Sequence, residues 1–219
     1  MKKIFSITVI LVLLTSCAAP IQNLTKTQYL NPAFTKEVLK SGGLALLPIT
    51  AGQGQEGYRR PLGDFINQNM QYAIPNGKSL TWQETMDLLN QNSKVTAYED
   101  MILAYRQTSI LNRDKVKELS LALGVKYALY VSLQDYSESK ETNYNLLTGW
   151  NTTKTANVSA HCLVIDLESG DVMQEIIGRA ASVAGTYSYN EGYEEYAKVI
   201  AYSILAQIPG ANLPPYKKK

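Results

Sequence analysis

A glycine-rich motif in the first third of the chain has the spacing of a dinucleotide-binding loop. Its residues are "GQGQEG" at positions 52–57, between an apolar run and a predicted helix. A dinucleotide site also needs an acidic residue about 20 positions further on, which binds the ribose. Gly77 and Lys78 occupy that region, and Glu84 lies in a predicted helix instead of at the end of a strand. We therefore predict a loop between strand and helix that binds no nucleotide and no other cofactor.

The residue types that commonly perform catalysis or bind metals are scarce. His161 is the only histidine, and Cys162 follows it directly on a predicted strand. Because neighbouring residues of a strand point to opposite faces, this pair cannot share a metal ion or act together as base and nucleophile. The chain has no Cys-x-x-Cys, His-x-x-His or Gly-x-Ser-x-Gly motif. We expect neither an enzyme nor a metal site.

Two groups of residues are candidate contacts for a partner. The chain has 15 tyrosines and only 3 phenylalanines, and tyrosine is enriched at protein interfaces. The candidates come from the glycine loop and from the entry to the last helix: Gly54, Gly57, Tyr58, Arg59, Tyr187, Tyr189 and Tyr193. Core or edge packing is the alternative for the tyrosines, and a solvated helix end is the alternative for the arginine.

The N-terminus has the pattern of a secreted and lipid-modified protein. "MKK" is basic, "IFSITVILVLL" is an apolar run too short to span a membrane convincingly, and "LLTSC" ends it. This pattern resembles the bacterial lipobox. The resemblance implies cleavage after Ser16 and diacylglycerol with a further acyl chain on Cys17. By the sorting rule of enteric bacteria, Ala18 implies the outer membrane.

Charge and cysteine content exclude further classes of partner and structure. The chain has 21 basic and 19 acidic residues, and cleavage would remove Lys2 and Lys3 and leave 19 of each. The cleaved chain would have no net positive charge and no basic stripe, so we predict that it does not bind nucleic acid. Because lipid would occupy Cys17, Cys162 has no partner for an internal disulfide.

Periodicity predicts an α/β (α+β) sandwich in which helices pack on a mixed sheet. The predicted order is β-α-β-α-α-β-β-β-α, and its last three strands form an antiparallel meander. We divide the chain into a signal peptide at 1–16, the lipidated Cys17 and tether at 17–40, the domain at 41–209 and a basic tail at 210–219. The segment 137–155 is predicted to be an exposed loop or a short strand extension, with too few apolar residues for a pore-forming hairpin.

Local signals place the individual elements. "GLALLPIT" is typical of a strand buried on both faces, with Pro48 near its end. Thr81 and Glu84 have the spacing of a capping box. Helical patterns also cover 61–74, "AYEDMILAYRQT" and "NRDKVKELSLALG". In "VKYALYVSLQDY" we expect Val125, Tyr127, Leu129, Val131 and Leu133 to share one face of a strand.

Three of these segments together resemble a family of bacterial envelope proteins. "LALLPI", "LALGVKYALYVSL" and "CLVIDLESGDVM" are similar, in this order, to motifs of the curli-secretion lipoprotein CsgG and the N-terminal domain of TolB. Related lipoproteins include penicillin-binding-protein activators and polysaccharide-export components. The resemblance covers about residues 43 to 208 and implies a module that functions by contact and has no enzymatic activity.

The sequence thus predicts an outer-membrane-anchored lipoprotein that faces the periplasm. It would act as a protein-interaction module in envelope assembly, secretion or cell-wall synthesis. The expected partners are the membrane, through the lipid, and another envelope protein, with a homo-oligomer as a further possibility. The alternative is a lipoprotein that binds a small ligand or a glycan through the tyrosine cluster.

Overall fold

The protein folds into one mixed β-sheet with helices on both faces; the computed structural model describes residues 21–146, 149–184 and 192–216. The strands are β1 (Gln22–Asn23), β2 (Lys26–Leu30), β3 (Leu44–Leu46), β4 (Thr50–Ala51), β5 (Ser79–Leu80), β6 (Tyr127–Asn145), β7 (Gly149–Asp166) and β8 (Val172–Ala184). The helices are α1 (Lys36–Gly42), α2 (Arg59–Ala73), α3 (Trp82–Gln91), α4 (Val95–Thr108), α5 (Arg113–Leu123) and α6 (Tyr193–Ala206). The described ranges hold no helix with the length and apolarity that a membrane span requires.

The sheet confirms the predicted α+β class and corrects part of the order. β6, β7 and β8 form the predicted antiparallel meander, and β3 lies parallel between β5 and β6. The predicted first strand is divided into β3 and β4, which both pair with β6 and flank Pro48. Three helices, α3 to α5, lie between β5 and β6, and each matches a helical pattern in the sequence, although the predicted element order counts only two there.

Alternation along the central strands divides the core between the two faces of the sheet. On one face, Leu129 and Val131 of β6 lie in the same buried cluster as Ile200 and Ile204 of α6. The opposite face is covered by α3, α4 and α5, which pack over residues such as Tyr130. Tyr127 and Leu133 also follow the predicted face. Val125 does not, since it precedes β6 and packs with the second cluster.

The helix ends follow the signals in the sequence. Thr81 Oγ1 accepts a hydrogen bond from the Glu84 backbone N–H at 3.2 Å, and Glu84 Oε2 accepts one from the Thr81 backbone N–H at 2.8 Å. The side chain of Asn112 caps α5 in the same manner, and Gly124 ends it in the left-handed conformation with φ 58°. Each contact provides a partner for a backbone group that a helix end otherwise leaves without one.

The predicted tether is wrong from residue 21 onward. β1 and β2 pair antiparallel with β8 at the edge of the sheet, α1 follows them, and Phe34 is buried in the first cluster. The segment lacks apolar periodicity because its strands bury little side-chain surface and are held by backbone hydrogen bonds. The predicted basic tail is also too long, since Leu213 packs on the core and the Asn212 N–H donates to Tyr72 O at 2.8 Å.

The segment predicted as a loop or short extension forms a long β-ribbon. β6 and β7 pair without interruption from Ser137 opposite Asn157 to Asn145 opposite Gly149. The last described pair of β7 with β8 is Lys154 with Ala184, so beyond it the described residues pair β7 with β6 alone. Hydroxyl pairs across the strands, such as Thr142 and Thr152 at 3.2 Å, stabilise a sequence too polar to show a strand pattern.

Candidate functional site

The glycine loop connects β4 to α2 and is fixed by its own contacts. The Gly52 N–H donates to Leu133 O at 3.2 Å, and Gln55 Nε2 donates to Tyr136 O at 3.3 Å. The Gly54 N–H, which a dinucleotide loop would direct at a pyrophosphate, donates to Glu56 Oε1 at 3.2 Å. The Glu56 carboxylate therefore already accepts the hydrogen bond of the Gly54 N–H, which an anionic ligand would need. That the loop binds no nucleotide stays a prediction.

Three tyrosines join the two candidate contact groups into one cluster. Tyr58 of the glycine loop lies 4.6 Å from Tyr193 at the start of α6, measured between ring centroids. Tyr136 of β6 contacts both, at 4.7 Å from Tyr58 and 4.9 Å from Tyr193. The Tyr193 hydroxyl donates to Tyr58 O at 2.8 Å. No sequence pattern connects these residues, because only the sheet register brings Tyr136 beside the loop.

Tyr193 is a packing residue in this structure, contrary to its selection as a surface contact. Its side chain is only 8% exposed, and burial raises the pKa of its phenol. Arg59 is exposed, and its Nε donates to Glu56 O at 3.1 Å. Gly54 and Gly57 have open space where a side chain would begin. Cys17, Tyr187 and Tyr189 lie outside the described residues.

We expect Gly54→Ala to lower the free energy of unfolding by about 1 kcal/mol, because Gly54 has a positive φ of 79° that a side chain disfavours. Gly57→Ala is the matched control, because Gly57 has equally open surroundings but no positive φ, and its effect should stay within about 0.5 kcal/mol. Urea unfolding of the full-length variants measures both. Equal losses in the two variants would contradict the assignment of strain to Gly54.

His161 and Cys162 face opposite sides of β7, as predicted. His161 Nε2 lies 2.7 Å from Glu175 Oε1, whereas Cys162 is fully buried among the first cluster. Burial raises the pKa of the Cys162 thiol, which opposes formation of a reactive thiolate. The part of the chain that the structure describes contains no cluster of three or more acidic, histidine or cysteine side chains suited to a metal ion.

The tip of the β6–β7 ribbon exposes apolar and aromatic side chains. Tyr144, Leu146 and Trp150 are 58%, 90% and 69% exposed. Tyr144 and Trp150 are opposite each other across the strands, with ring centroids 5.2 Å apart in an edge-to-face arrangement. They lie in the segment 137–155, for which the sequence predicted a loop or a short extension and not the ribbon that presents them together.

A second surface that the sequence did not indicate is an open groove of about 810 Å³ on the face of β6, β7 and β8. It lies on the side that carries α3 to α5, beyond the part that these helices cover. Its lining includes Tyr105, Arg106, His161, Glu175 and Arg179. Tyr105 and Arg106 come from α4, His161 from β7, and Glu175 and Arg179 from β8, so helix packing and strand pairing bring them together.

The comparisons with known proteins give their clearest result at the N-terminus. Residues 1–18 match the family described as the prokaryotic membrane lipoprotein lipid attachment site. The chain carries a lipoprotein attachment site. Membrane association through a lipid anchor follows, and the predicted acceptor Cys17 lies within the matched range. Among curated proteins, no sequence matches this lipoprotein.

Solved structures are similar to the lipoprotein at low sequence identity. A PelC dodecamer from Paraburkholderia phytofirmans is 10% identical, with 87% of this chain and 100% of that chain covered and a TM-score of 0.51. Lipoprotein GNA1162 from Neisseria meningitidis is 14% identical, with 76% and 97% covered and a TM-score of 0.38. The LpoB C-terminal domain from Salmonella enterica is 12% identical, with 67% and 91% covered and a TM-score of 0.30. Of these three, only PelC is similar enough to support the fold, and the narrower CsgG-like assignment stays a prediction.

Proposed function

We propose that this lipoprotein is a non-enzymatic contact module, anchored in the outer membrane and facing the periplasm, that binds another envelope protein through the tip of the β6–β7 ribbon. Such a partner would act in envelope assembly, secretion or cell-wall synthesis. The observation that carries the proposal is the exposure of Tyr144, Leu146 and Trp150 at the end of the β6–β7 ribbon. Ala18 after the lipid-acceptor cysteine supports the outer membrane as the location.

The composition of the tip suits a protein contact. Aromatic side chains supply large contact areas with few rotatable bonds, and tryptophan and tyrosine are enriched among the residues that dominate binding energy. In the structure, these rings contact each other and otherwise lie exposed, so a partner could bury them without unfolding the ribbon. Lys140, which is exposed, and Lys154, which is half-buried, lie opposite each other nearer the sheet and would form a polar rim.

The single histidine has no hydrogen-bonded nucleophile among the described residues. His161 is engaged by Glu175, and no serine, threonine or cysteine hydroxyl or thiol in the described ranges is hydrogen-bonded to its ring. Cys162 lies on the other side of the sheet. A nucleophile activated by a neighbouring base needs that hydrogen bond.

Site-specific photo-crosslinking in intact cells tests the proposal. A crosslinking amino acid at position 150 should give one or a few discrete protein adducts, and the same amino acid at Leu121 should not. Leu121 is a matched control because it is apolar and 86% exposed on α5, away from the ribbon. Adducts spaced by the mass of the lipoprotein itself would identify the partner as a second copy, a relevant outcome because PelC is described as a dodecamer. Lipid adducts alone at position 150, or the same adducts at position 121, would contradict the proposal.

The contribution of the tip can then be measured by substitution. Because residues that dominate an interface contribute about 2 kcal/mol or more, Trp150→Ala should reduce recovery of the partner roughly 30-fold. Leu121→Ala should leave recovery unchanged. A Trp150→Ala variant that still recovers the partner at the original level would show that the contact lies elsewhere.

A further inference from the structure

We propose that the open groove on β6, β7 and β8 binds an acidic saccharide, with Arg106 and Arg179 holding a carboxylate of the ligand. The groove faces away from the first core cluster and is separate from the exposed side chains at the ribbon tip. The inference therefore goes beyond the protein-contact function proposed above and does not depend on it.

Strand alternation forms the floor of the groove. Ser132 of β6 lies opposite His161 of β7, which lies opposite Ile177 of β8, so all three share one face. Ser159 and Arg179 form the next pair on the same face. The C-terminal end of α4 and Tyr29 of β2 line the sides. The volume of about 810 Å³ lies within the range of roughly 300–1,000 Å³ that small-molecule sites occupy.

The charges in the groove favour an anion. Neither Arg106 nor Arg179 forms an ion pair with any carboxylate that the structure describes, whereas Arg113 pairs with Asp171 at 2.6 Å outside the groove. Arg106 Nη2 donates only a long hydrogen bond of 3.4 Å to Ala51 O. Guanidinium groups bind carboxylates in a bidentate manner and are therefore well suited to this ligand group.

The one carboxylate of the lining is engaged within the protein. Glu175 Oε1 lies 2.7 Å from His161 Nε2, and the His161 ring lies parallel to that of Tyr105, with centroids 6.2 Å apart and 5° between the planes. The contact with His161 holds the Glu175 carboxylate against the floor of the groove. Two arginines against one carboxylate therefore leave the groove with a net positive charge.

Hydroxyl groups of a sugar find suitable partners beside these charges. Burial, followed by the neighbouring Glu175 and Tyr130, raises the pKa of Tyr105 to about 12, so its phenol remains protonated and can donate at neutral pH. Gln134 and Ser132 add an amide and a hydroxyl, which are joined by a 2.9 Å hydrogen bond. The half-buried Tyr105 ring supplies an apolar wall.

The sheet itself argues against an extended peptide as the ligand. β7 is hydrogen-bonded to β6 and β8, β6 is also bonded to β3 and β4, and β8 is also bonded to β1 and β2. A peptide that adds a strand needs an unpaired strand edge. The floor strands β6, β7 and β8 are paired on both sides, and the outer edge of β2, beside Tyr29, is the edge near the groove that has no described partner. Recognition on the floor of the groove therefore occurs through side chains, which suits a ligand composed of hydroxyl and carboxylate groups.

Calorimetric titration of the full-length lipoprotein in detergent tests the inference. Trigalacturonate is the probe, the neutral galactose trimer is the uncharged control, and hexaglutamate represents an acidic peptide. We expect saturable binding of trigalacturonate that weakens as salt is added, and at least tenfold weaker binding of the other two ligands. No binding of trigalacturonate, equal binding of the galactose trimer, or tighter binding of hexaglutamate would each overturn the proposal.

Substitutions assign the binding to the groove. Arg106→Gln and Arg179→Gln should each weaken trigalacturonate binding roughly tenfold or more, since each removes a charge-assisted hydrogen bond. Arg113→Gln removes the same charge outside the groove and should leave the affinity unchanged. The Trp150→Ala variant should bind trigalacturonate with unchanged affinity. The groove proposal can therefore fail or succeed independently of the proposed contact at the ribbon tip. An equal loss in Arg113→Gln would show a general charge effect and overturn the site.

Discussion

Replacing Cys17 with alanine is expected to remove the protein from the membrane fraction, or to leave it uncleaved with its apolar signal segment attached. The lipid-attachment match at residues 1–18 and the "LLTSC" sequence place the acyl acceptor at this cysteine. Each buried CH₂ of an acyl chain contributes about 0.8 kcal/mol, so two or three chains give essentially permanent anchoring. Metabolic labelling with a fatty-acid analogue, followed by fractionation on a density gradient, measures both the modification and the membrane that holds it.

Cys162→Ala is the matched control for this experiment. Cys162 is fully buried in the first core cluster, so its removal costs packing but no lipid, and the variant should remain labelled and membrane-bound. A wild-type protein that takes up no label, or a Cys17→Ala variant that keeps it, would refute lipidation at this site.

The elements that could be predicted from the sequence are those whose signals are local. Thr81 and Glu84 cap α3, and Asn112 and Gly124 bound α5, through contacts within a few residues of each other. The alternation of Leu129 and Val131 likewise identified the core face of β6. In each case the sequence neighbourhood contains both partners of the interaction, so pattern and structure agree.

The elements that could not be predicted depend on pairing with distant strands. β2 is polar and exposed, and its strand conformation comes from hydrogen bonds to β8, which lies more than a hundred residues later. The β6–β7 ribbon is likewise held by cross-strand bonds among serine, threonine and asparagine residues. Polar sequences of this kind resemble loops, because the backbone groups that stabilise them carry no sequence signal.

The candidate sites also divide into those with a local sequence signal and those that only the tertiary fold assembles. The cysteine of the lipid anchor is evident from a short local motif, whereas Tyr58, Tyr136 and Tyr193 meet only through the tertiary fold. The glycine spacing was conspicuous and yet marks a self-contained loop in which Glu56 occupies the Gly54 amide. Strand alternation gave the opposite orientations of His161 and Cys162 but could not identify Glu175 as the partner of the histidine.

The two faces of β8 should respond very differently to the same substitution, which provides a test of the fold. Ile176 is fully buried beneath the helices of the first cluster, and α6 approaches so closely that a Cβ on Gly178 would lie 3.2 Å from Ile200 and Ile204. Ile177 is only partly buried and lines the open groove. We expect Ile176→Ala to lower the free energy of unfolding by about 2–5 kcal/mol, because a tightly packed core cannot collapse to fill the cavity.

For Ile177→Ala we expect a loss of less than about 1 kcal/mol, since water already reaches this residue and no closed cavity forms. Both variants remove the same atoms from adjacent positions of one strand, so differences in strand propensity nearly cancel between them. Urea unfolding of the full-length chains measures the effect, and an unchanged dependence on urea would show that only stability has changed. A larger loss for Ile177→Ala would mean that the register of β8 against β7 is shifted by one residue, because such a shift exchanges the buried and open faces of the whole strand. Equal losses would contradict the assignment of one buried and one open face.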